Sequence, residues 1–443
     1  MSTGNYNYAD AFAKSILFYE ANWCGKDAGN NRLLWRQACH VNDGADANID
    51  LTGGFHDAGD HVKFGLPQAY SASTLGWAYH EFKDTFAKKG QDKYMLNILK
   101  HFTDYFLKCY ANTITCYYQC GDGNTDHAYW GPPELQTTSR PTLYVANTGT
   151  PASDVCGDVS AALSLMYLNY KDVNLNYANQ CIVAAKNLYN YAKNYKGLSQ
   201  SGGFYTSSGY WDELAWAAVW LYVVTNNSCY MDDINSFMSS KGINQYYQYH
   251  WTHCWDDVLG GVLLKLAQIS TNDIYKTIIE ENLNYWINNV TTTPGGLKYI
   301  NSWGTLRYTA AECMLAEVYY KTSNNTKYLN FAKGQIDYML GRNPMNMSYE
   351  VGFGDKYPMF PHHRAASGWT QIKTYGQPEK HILYGGLVGG PDQNDNYTDN
   401  IEDYQHSEVA IDYNSGFVGA LAGMTEYYGQ NQLPENISEL ILI

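Results

Sequence analysis

The segment "DELAWAAVWLYVVT", residues 212–225, points to the fold class of this chain. It is long enough for an α-helix and too long for a typical strand. After Asp212 and Glu213 it is apolar around almost its whole circumference, and a helix of that kind needs neighbours on every side. The segment therefore predicts an interior helix of an all-α protein, and a closed barrel of helices provides such positions.

Other parts of the chain repeat this pattern, which extends the prediction to the whole molecule. Apolar residues recur at helical spacing in 8–23, 92–111, 158–170, 177–195, 272–290, 308–322, 328–341 and 409–428. Long loops rich in Gly, Asp, Asn and Pro separate them at about 40–68, 112–157, 291–307 and 342–408. Loops of this length are usually functional. No linker or repeat divides the chain, so we predict one domain over residues 1–443.

Composition excludes some partners and favours another. The formal net charge is −14, whereas nucleic-acid binding needs a basic stripe. The chain contains no run of 18 apolar residues, so the sequence predicts no membrane span. The chain has 42 tyrosines and 12 tryptophans. Most must be core, but their apolar faces and polar tips also suit sugar rings, so we expect a carbohydrate ligand.

The cysteines and the N-terminus bear on cellular location. Ten cysteines are too sparse for a disulfide scaffold, and Cys109, Cys116 and Cys120 form no CxxC pair, which disfavours zinc. The start "MSTGNYNYADAF" lacks the features of a signal peptide. We interpret it as a mature or recombinant start and expect a secreted monomer. Asn-x-Ser/Thr sequons begin at Asn226, Asn289, Asn324, Asn346, Asn396 and Asn436.

The stretch "GGFHDAGDHVKFGLP", residues 53–67, sets two acids between two histidines in a glycine-rich loop. A tight turn would let Asp57 and Asp60 face one cavity and orient a water molecule. If His56 and His61 also converged there, the group could hold a metal. A plain turn followed by a helix cap is the third interpretation. The stretch alone leaves all three open.

Two further stretches carry candidate chemistry. "YTDNIEDYQHSEVAIDYNS", residues 397–415, offers Asp399, Asp403 and Glu408 before an apolar helix, and capping of that helix would explain them equally well. "PHHR", residues 361–364, places a His and an Arg two apart, so that both could donate hydrogen bonds to one polar ligand.

Together these stretches resemble the defining motifs of glycoside hydrolase family nine, the endo-β-1,4-glucanases. The segment 397–415 has the family's residue at each fixed position, including Glu408. "SYEVGFGDKYPMFPHHR", "DGNTDHAYWGPPE", "FYTSSGYWDEL" and "NSWGTLRYTAAE" are also family-like, and all the segments occur in the family's order. The resemblance covers essentially the whole chain.

The resemblance implies an (α/α)6 barrel of six helical hairpins whose long loops form an open substrate cleft. It also implies hydrolysis of β-1,4-glucan with inversion, which needs a general acid on one side of the scissile bond and a general base on the other. Glu408 would be the acid, Asp60 the base and Asp57 its partner in positioning water. We expect nearby carboxylates such as Asp403 to raise the pKa of Glu408. His56 and His61 would then support the loop rather than bind a metal.

The resemblance implies two further sets of residues. Those that would bind or line sugar subsites are His127, Tyr205, Trp251, Trp303, Tyr308, His362, Arg364 and Tyr413. Those that would hold a structural Ca²⁺ with oxygen ligands are Ser208, Gly209, Asp212, Glu213 and Asp256. For Asp212 and Glu213, a favourable position at the start of a helix is the alternative explanation.

Several positions depart from the family pattern. Ile401 stands where an Arg is frequent, Ser407 where an Asn precedes the acid, and Glu350 where an apolar residue is usual. The segment before Ser208 is one residue short and lacks a Trp. These changes affect the expected subsite affinities and leave the acids intact.

Three other activities remain open from the sequence. They are a processive or oligosaccharide-trimming family member, a non-catalytic glucan-binding protein, and a metal-dependent hydrolase built on the histidines and acids of 56–61.

Overall fold

The structure of the protein is a computed structural model that describes residues 6–372 and 379–437. Residues 1–5, 373–378 and 438–443 of the predicted single domain lie outside the described residues. Within the described ranges the chain forms fifteen α-helices and four short strands. No helix in those ranges combines the length and apolarity that crossing a bilayer requires.

Six helices form a closed ring in which each helix contacts the helix before it and the helix after it. In order around the ring they are α2 (Gly65–Lys88), α5 (Ser153–Tyr170), α7 (Trp211–Thr225), α9 (Leu259–Ile269), α11 (Thr305–Ser323) and α15 (Ile411–Tyr428). Contacts between α15 and α2 close the ring.

A second helix packs on the outside of each ring helix, following it in the chain except at α15, where α1 fills that position. The outer helices are α1 (Tyr8–Ala21), α3 (Asp92–Cys109), α6 (Leu175–Asn194), α8 (Ser228–Ser240), α10 (Ile274–Asn288) and α12 (Thr326–Met339). The predicted barrel of six helical hairpins is confirmed.

The inner helices are buried on all sides, as residues 212–225 predicted. Every residue of α7 from Asp212 to Leu221 is buried. Helix α15 approaches α11 so closely that a Cβ added at Gly416 would lie 2.7 Å from the Cα of Ala311. Glycine at this position therefore sets the distance between the last two helices of the ring.

The loops before the inner helices meet at one end of the barrel. Because each outer helix returns the chain, the inner helices run in the same direction and their N-termini share one end. Asp60 lies five residues before α2, Trp303 two before α11, and Glu408 three before α15. Residues from distant parts of the sequence thus come to the same face of the barrel.

A small antiparallel sheet stiffens this end of the barrel. It contains β1 (Lys63–Phe64), β2 (Tyr110–Asn112), β3 (Thr115–Cys120) and β4 (Thr142–Ala146). Strand β3 pairs with each of the other three, with Lys63 opposite Cys120. Strand β1 directly follows the Asp57–Asp60 turn, so the sheet anchors that turn. Short helices α4 (Gly123–His127), α13 (Arg364–Ser367) and α14 (Tyr404–Ser407) complete the loops.

Candidate active site

A cavity of about 800 Å³ opens at the loop end of the barrel. Nine of the eleven residues predicted for catalysis and substrate binding line it. They are Asp57, Asp60, His127, Tyr205, Trp303, His362, Arg364, Glu408 and Tyr413. The barrel thus brings together acids that are about 350 residues apart in the sequence.

The first acid pair lies in a tight turn. The amide of Asp57 donates to the carbonyl of Val62 at 2.9 Å, which closes the turn, and the Asp57 carbonyl accepts from the amide of Ile411 at 2.9 Å. The turn is thereby tied to the start of α15. Neither acid caps α2, whose N-cap residue is Phe64 and makes no side-chain cap hydrogen bond. The helix-cap interpretation is therefore wrong for these acids.

The turn is also pressed against the PHHR segment. A Cβ added at Gly59 would lie 2.0 Å from the carbonyl oxygen of His362, so this position requires glycine. The amide of Arg364 donates to the Gly59 carbonyl at 3.0 Å. His362 and Arg364 line the cavity, whereas His363 turns away and bonds to Asn22 at 3.0 Å.

Asp60 is held in its ionised form. Burial alone would raise its pKa, but a hydrogen bond and charge from His127, together with Arg364 and the amide of Val62, bring the pKa below its ordinary value. The His127 Nε2 lies 3.4 Å from the Asp60 Oδ2, and the Val62 amide donates to the same oxygen at 3.0 Å. An ionised carboxylate facing a cavity can accept a proton.

Asp57, in contrast to Asp60, tends to keep its proton. Burial and the neighbouring charge of Asp60 raise its pKa well above the ordinary value. The Tyr205 hydroxyl donates to the Asp57 Oδ2 at 2.5 Å, while the Oδ1 is buried without a protein partner. Asp57 and Asp60 therefore share one negative charge, which resides on Asp60, because two adjacent carboxylates repel each other.

Glu408 is half-buried and stands on extended backbone between α14 and α15. Its carbonyl accepts from the Gly389 amide at 2.8 Å, and the His362 amide donates to the Ser407 carbonyl at 2.9 Å. Partial burial, followed by the charge of Asp60, raises the pKa of Glu408 to about 7. Near neutral pH this carboxyl group is therefore a proton donor.

Asp403, the carboxylate that we expected to raise the pKa of Glu408, does not lie beside that residue. The Asp403 oxygens are 3.0 Å from the His406 Nδ1. Asp412, in the first turn of α15, raises the pKa of Glu408 instead, after Asp60.

Arg307 lines the cavity and was not singled out from the sequence. Its guanidinium pairs with the Asp412 carboxylate at 3.0 Å and lies 4.5 Å from the centre of the Tyr413 ring. Its charge lowers the pKa of Glu408. Arg307 belongs to the family-like segment 301–312, which was the available signal.

Aromatic side chains form much of the cavity wall. Besides the predicted rings, the lining includes Phe64, Trp130, Phe204, Trp255 and Tyr404. Trp303 is 41% exposed, with its ring centre 5.4 Å from that of Tyr404. Exposed rings around a polar floor suit the alternating faces of sugar residues.

Trp251 and Tyr308 lie outside this lining. The Tyr308 ring is buried and contacts the half-buried Trp251 ring with 5.3 Å between centres. The Arg307 guanidinium lies 4.9 Å from the Tyr308 ring centre, so Tyr308 supports Arg307 from behind the wall. The sugar contacts of these two rings remain predictions.

The four side chains that a metal-dependent hydrolase would use, those of His56, Asp57, Asp60 and His61, do not converge on one point. The His56 Nε2 is 2.9 Å from the His40 Nδ1, and the His61 Nε2 is 2.9 Å from the Gly131 carbonyl. Asp57 and Asp60 face Tyr205 and His127 instead. The geometry offers no support for a catalytic metal in this turn.

The predicted calcium ligands lie in a separate acidic cluster beside the starts of α7 and α9. The Ser208 amide donates to the Asp256 Oδ1 at 2.7 Å, and the Val258 amide donates to the Asp212 Oδ2 at 2.9 Å. Both oxygens of Glu213 are buried without a partner, and burial together with Asp212 raises the pKa of Glu213 well above its ordinary value. A hard cation that prefers oxygen ligands would pair with these buried oxygens and favour the ionised form of Glu213.

Comparisons of sequence and structure with known proteins point to one enzyme family. The sequence profile of glycosyl hydrolase family 9 matches residues 8–421. Endoglucanase A of Bacillus pumilus is 40% identical over 97% of this chain and 68% of its own length. The crystal structure of the cellulase Cel9M of C. cellulolyticum superposes with a TM-score of 0.93 at 52% identity, covering 96% of this chain and all of that one. The endoglucanase of the termite Nasutitermes takasagoensis superposes at 0.91 with 39% identity, covering 95% and 99%.

A cavity in which one carboxyl group favours the ionised form and another the protonated form provides the acid and base that a glycoside hydrolase needs. The chain belongs to glycosyl hydrolase family 9. Its activity is that of an endoglucanase, a cellulase.

Proposed function

We propose that this protein cleaves internal β-1,4-glucosidic bonds by inversion, with Glu408 as the general acid and Asp60 as the general base. The observation that carries the proposal is that two carboxyl groups face one cavity, with neighbours that shift their pKa values in opposite directions. His127 and Arg364 keep Asp60 ionised, whereas partial burial and Asp60 keep Glu408 protonated up to a pH of about 7.

The residues of the cavity can perform a single displacement. Asp60 accepts a proton from a water molecule as the water oxygen bonds to the anomeric carbon. The glycosidic bond breaks in the same step, and Glu408 gives its proton to the departing oxygen. Asp57, held by Tyr205, orients the water next to Asp60. The product then has the inverted anomeric configuration.

The substrate that we propose is a chain of β-1,4-linked glucose, such as cellulose. The aromatic wall and the polar side chains of His127, His362 and Arg364 support this choice, because they match the faces and hydroxyl rims of glucose. A crystal structure of the cellulase Cel9M holds cellobiose. Because cellulose is a polymer that cannot cross a membrane, we also propose that the protein acts outside the cell. We propose separately that it is a monomer.

Reducing-sugar release from a soluble β-glucan tests the assignment. Glu408→Gln and Asp60→Asn should each lower kcat about 10²–10⁴-fold. Glu402→Gln is the matched control, because Glu402 is an exposed acid six residues before Glu408, and its activity should be unchanged. Full activity in either of the first two variants would refute the roles. NMR of the first product should show the inverted anomer.

We also propose that Ca²⁺ binds Ser208, Gly209, Asp212, Glu213 and Asp256 and has a structural role. The buried oxygens of Glu213 support this proposal, since they have no protein partner and a cation would supply one. In metal-free protein, Ca²⁺ at about 100 times its Kd should stabilise the fold by about 2.7 kcal/mol. Thermal unfolding should show this gain in wild type and in Glu402→Gln, but not in Glu213→Gln. An equal gain in Glu213→Gln would argue against the site.

A further inference from the structure

Phe204 is an apolar ring in the wall of the catalytic cavity, and it packs against His127. The two ring centres are 4.7 Å apart and the ring planes meet at 73°, which is the edge-to-face arrangement that aromatic pairs prefer. Phe204 is 37% exposed. It therefore faces the cavity and also touches the residue that pairs with Asp60.

We propose that Phe204 is a positioning residue that holds the His127 ring beside Asp60. This role rests on the proposed function, in which Asp60 is the general base. The His127 side chain is partly exposed, and its Nε2 lies 3.4 Å from the Asp60 Oδ2. A partly exposed ion pair of this length holds a side chain only weakly, so a second contact is needed to keep the ring in place.

The Phe204 ring is itself fixed by its neighbours. Its centre is 5.7 Å from that of Phe64, the residue that joins β1 to α2. It also packs over Gly123, where an added Cβ would lie 2.2 Å from a carbon of the Phe204 ring. Gly123 is the first residue of α4 and His127 is the last. The ring therefore fills the space that α4 leaves open because position 123 has no side chain.

The loop at residues 201–205 carries Phe204 and also holds the second acid. The next side chain, Tyr205, donates to the Asp57 Oδ2 at 2.5 Å, and its amide donates to the Ser201 hydroxyl at 2.7 Å. The two glycines of the loop have φ angles of +71° and +92°, which glycine adopts without strain. Consecutive side chains of one loop therefore act on the two acids of the catalytic turn.

The ring contact affects the protonation of both members of the ion pair. Burial would raise the pKa of Asp60, but a hydrogen bond and charge from His127 lower it. Burial would lower the pKa of His127, but its pairing with Asp60 raises it. If the His127 ring moved away, the pKa of Asp60 would rise and that of His127 would fall. An edge-to-face pair changes an equilibrium about 2–12-fold, which corresponds to about 0.4–1.1 pH units.

NMR titration of the His127 imidazole tests the contact without turnover. In Phe204→Leu, the pKa of His127 should fall by about 0.4–1.1 pH units. A rise would overturn the proposal, because it would mean that the ring stays beside Asp60 and loses only its burial. An unchanged pKa would do the same. His127→Gln identifies the signal among the twelve histidines. Tyr246→Leu is the control, because Tyr246 is 81% exposed, and it should leave this pKa unchanged.

The acid limb of the pH–rate profile tests the consequence for the general base. In Phe204→Leu, the limb of kcat/KM should move to higher pH by about 0.4–1.1 pH units. Gly123→Ala should have the same effect, because its Cβ displaces the Phe204 ring. A higher KM with an unmoved limb in Phe204→Leu would mean that the ring only stacks on sugar, and would overturn the proposal.

A double variant shows whether Phe204 acts through His127. Phe204→Leu combined with His127→Gln should move the acid limb no further than His127→Gln alone, whereas additive shifts would contradict the proposal. The proposed function can fail separately. If Asp60→Asn keeps full activity while the pKa of His127 still falls in Phe204→Leu, the role of Asp60 as base is refuted and the positioning of His127 stands.

Discussion

The alkaline limb of the pH–rate profile is the sharpest consequence of the site. Glu408 must be protonated to act, and its pKa is raised to about 7 by partial burial and by Asp60. Its protonated fraction is about 0.9 at pH 6 and about 0.1 at pH 8. We therefore expect kcat/KM on a soluble cello-oligosaccharide to be nearly flat from pH 5 to pH 6. It should then fall about tenfold between pH 6 and pH 8.

An unperturbed glutamate would behave differently. With the ordinary pKa of 4.5, the protonated fraction would already fall about eightfold between pH 5 and pH 6. The two outcomes are distinguishable in initial rates measured below KM, with near-ultraviolet circular dichroism at each pH to show that the fold is intact. A fall of that size below pH 6 would refute the reasoning about Glu408.

Arg307→Met provides a second check, on the direction in which neighbouring charges shift the pKa of Glu408. Removal of the guanidinium takes away a charge that lowers the pKa of Glu408 and leaves the Asp412 carboxylate, which raises it, without its partner. Both effects move the alkaline limb to higher pH. Arg342→Met is the matched control, because Arg342 is exposed and its guanidinium donates to the Gly334 carbonyl. A limb that moved to lower pH in Arg307→Met would contradict the assignment.

Three other variants test other parts of the site. His127→Gln removes a group that lowers the pKa of Asp60, so kcat/KM should fall more at pH 5 than at pH 7. Equal losses at the two pH values would argue against this role of His127. Gly59→Ala places a Cβ 2.0 Å from the His362 carbonyl, and urea unfolding should show a loss of about 1–3 kcal/mol. Trp303→Ala removes an exposed ring of the cavity wall, so KM for a long glucan should rise with kcat nearly unchanged, whereas a loss confined to kcat would exclude a simple binding role.

Helices that the sequence pattern did not predict show where apolar spacing fails. Helix α2 contains Gly65, Pro67 and Gly76, and α9 begins with Leu-Gly-Gly, all of which usually indicate loops. Helix α8 is rich in Ser, Asn and Asp, which are weak helix formers. Tertiary contacts with the rest of the barrel stabilise these helices, and no local signal in the sequence reports such contacts.

The sequence by itself determined the helical class, because apolar residues at helical spacing require buried helices, and its motifs identified the acids Asp57, Asp60 and Glu408. Only the tertiary structure decided which acid keeps its proton. Each pKa depends on burial and on neighbouring charges, such as His127 beside Asp60 and Asp60 acting on Glu408. Those neighbours come from separate loops that meet only when the ring of helices closes, and a linear pattern does not record such distances.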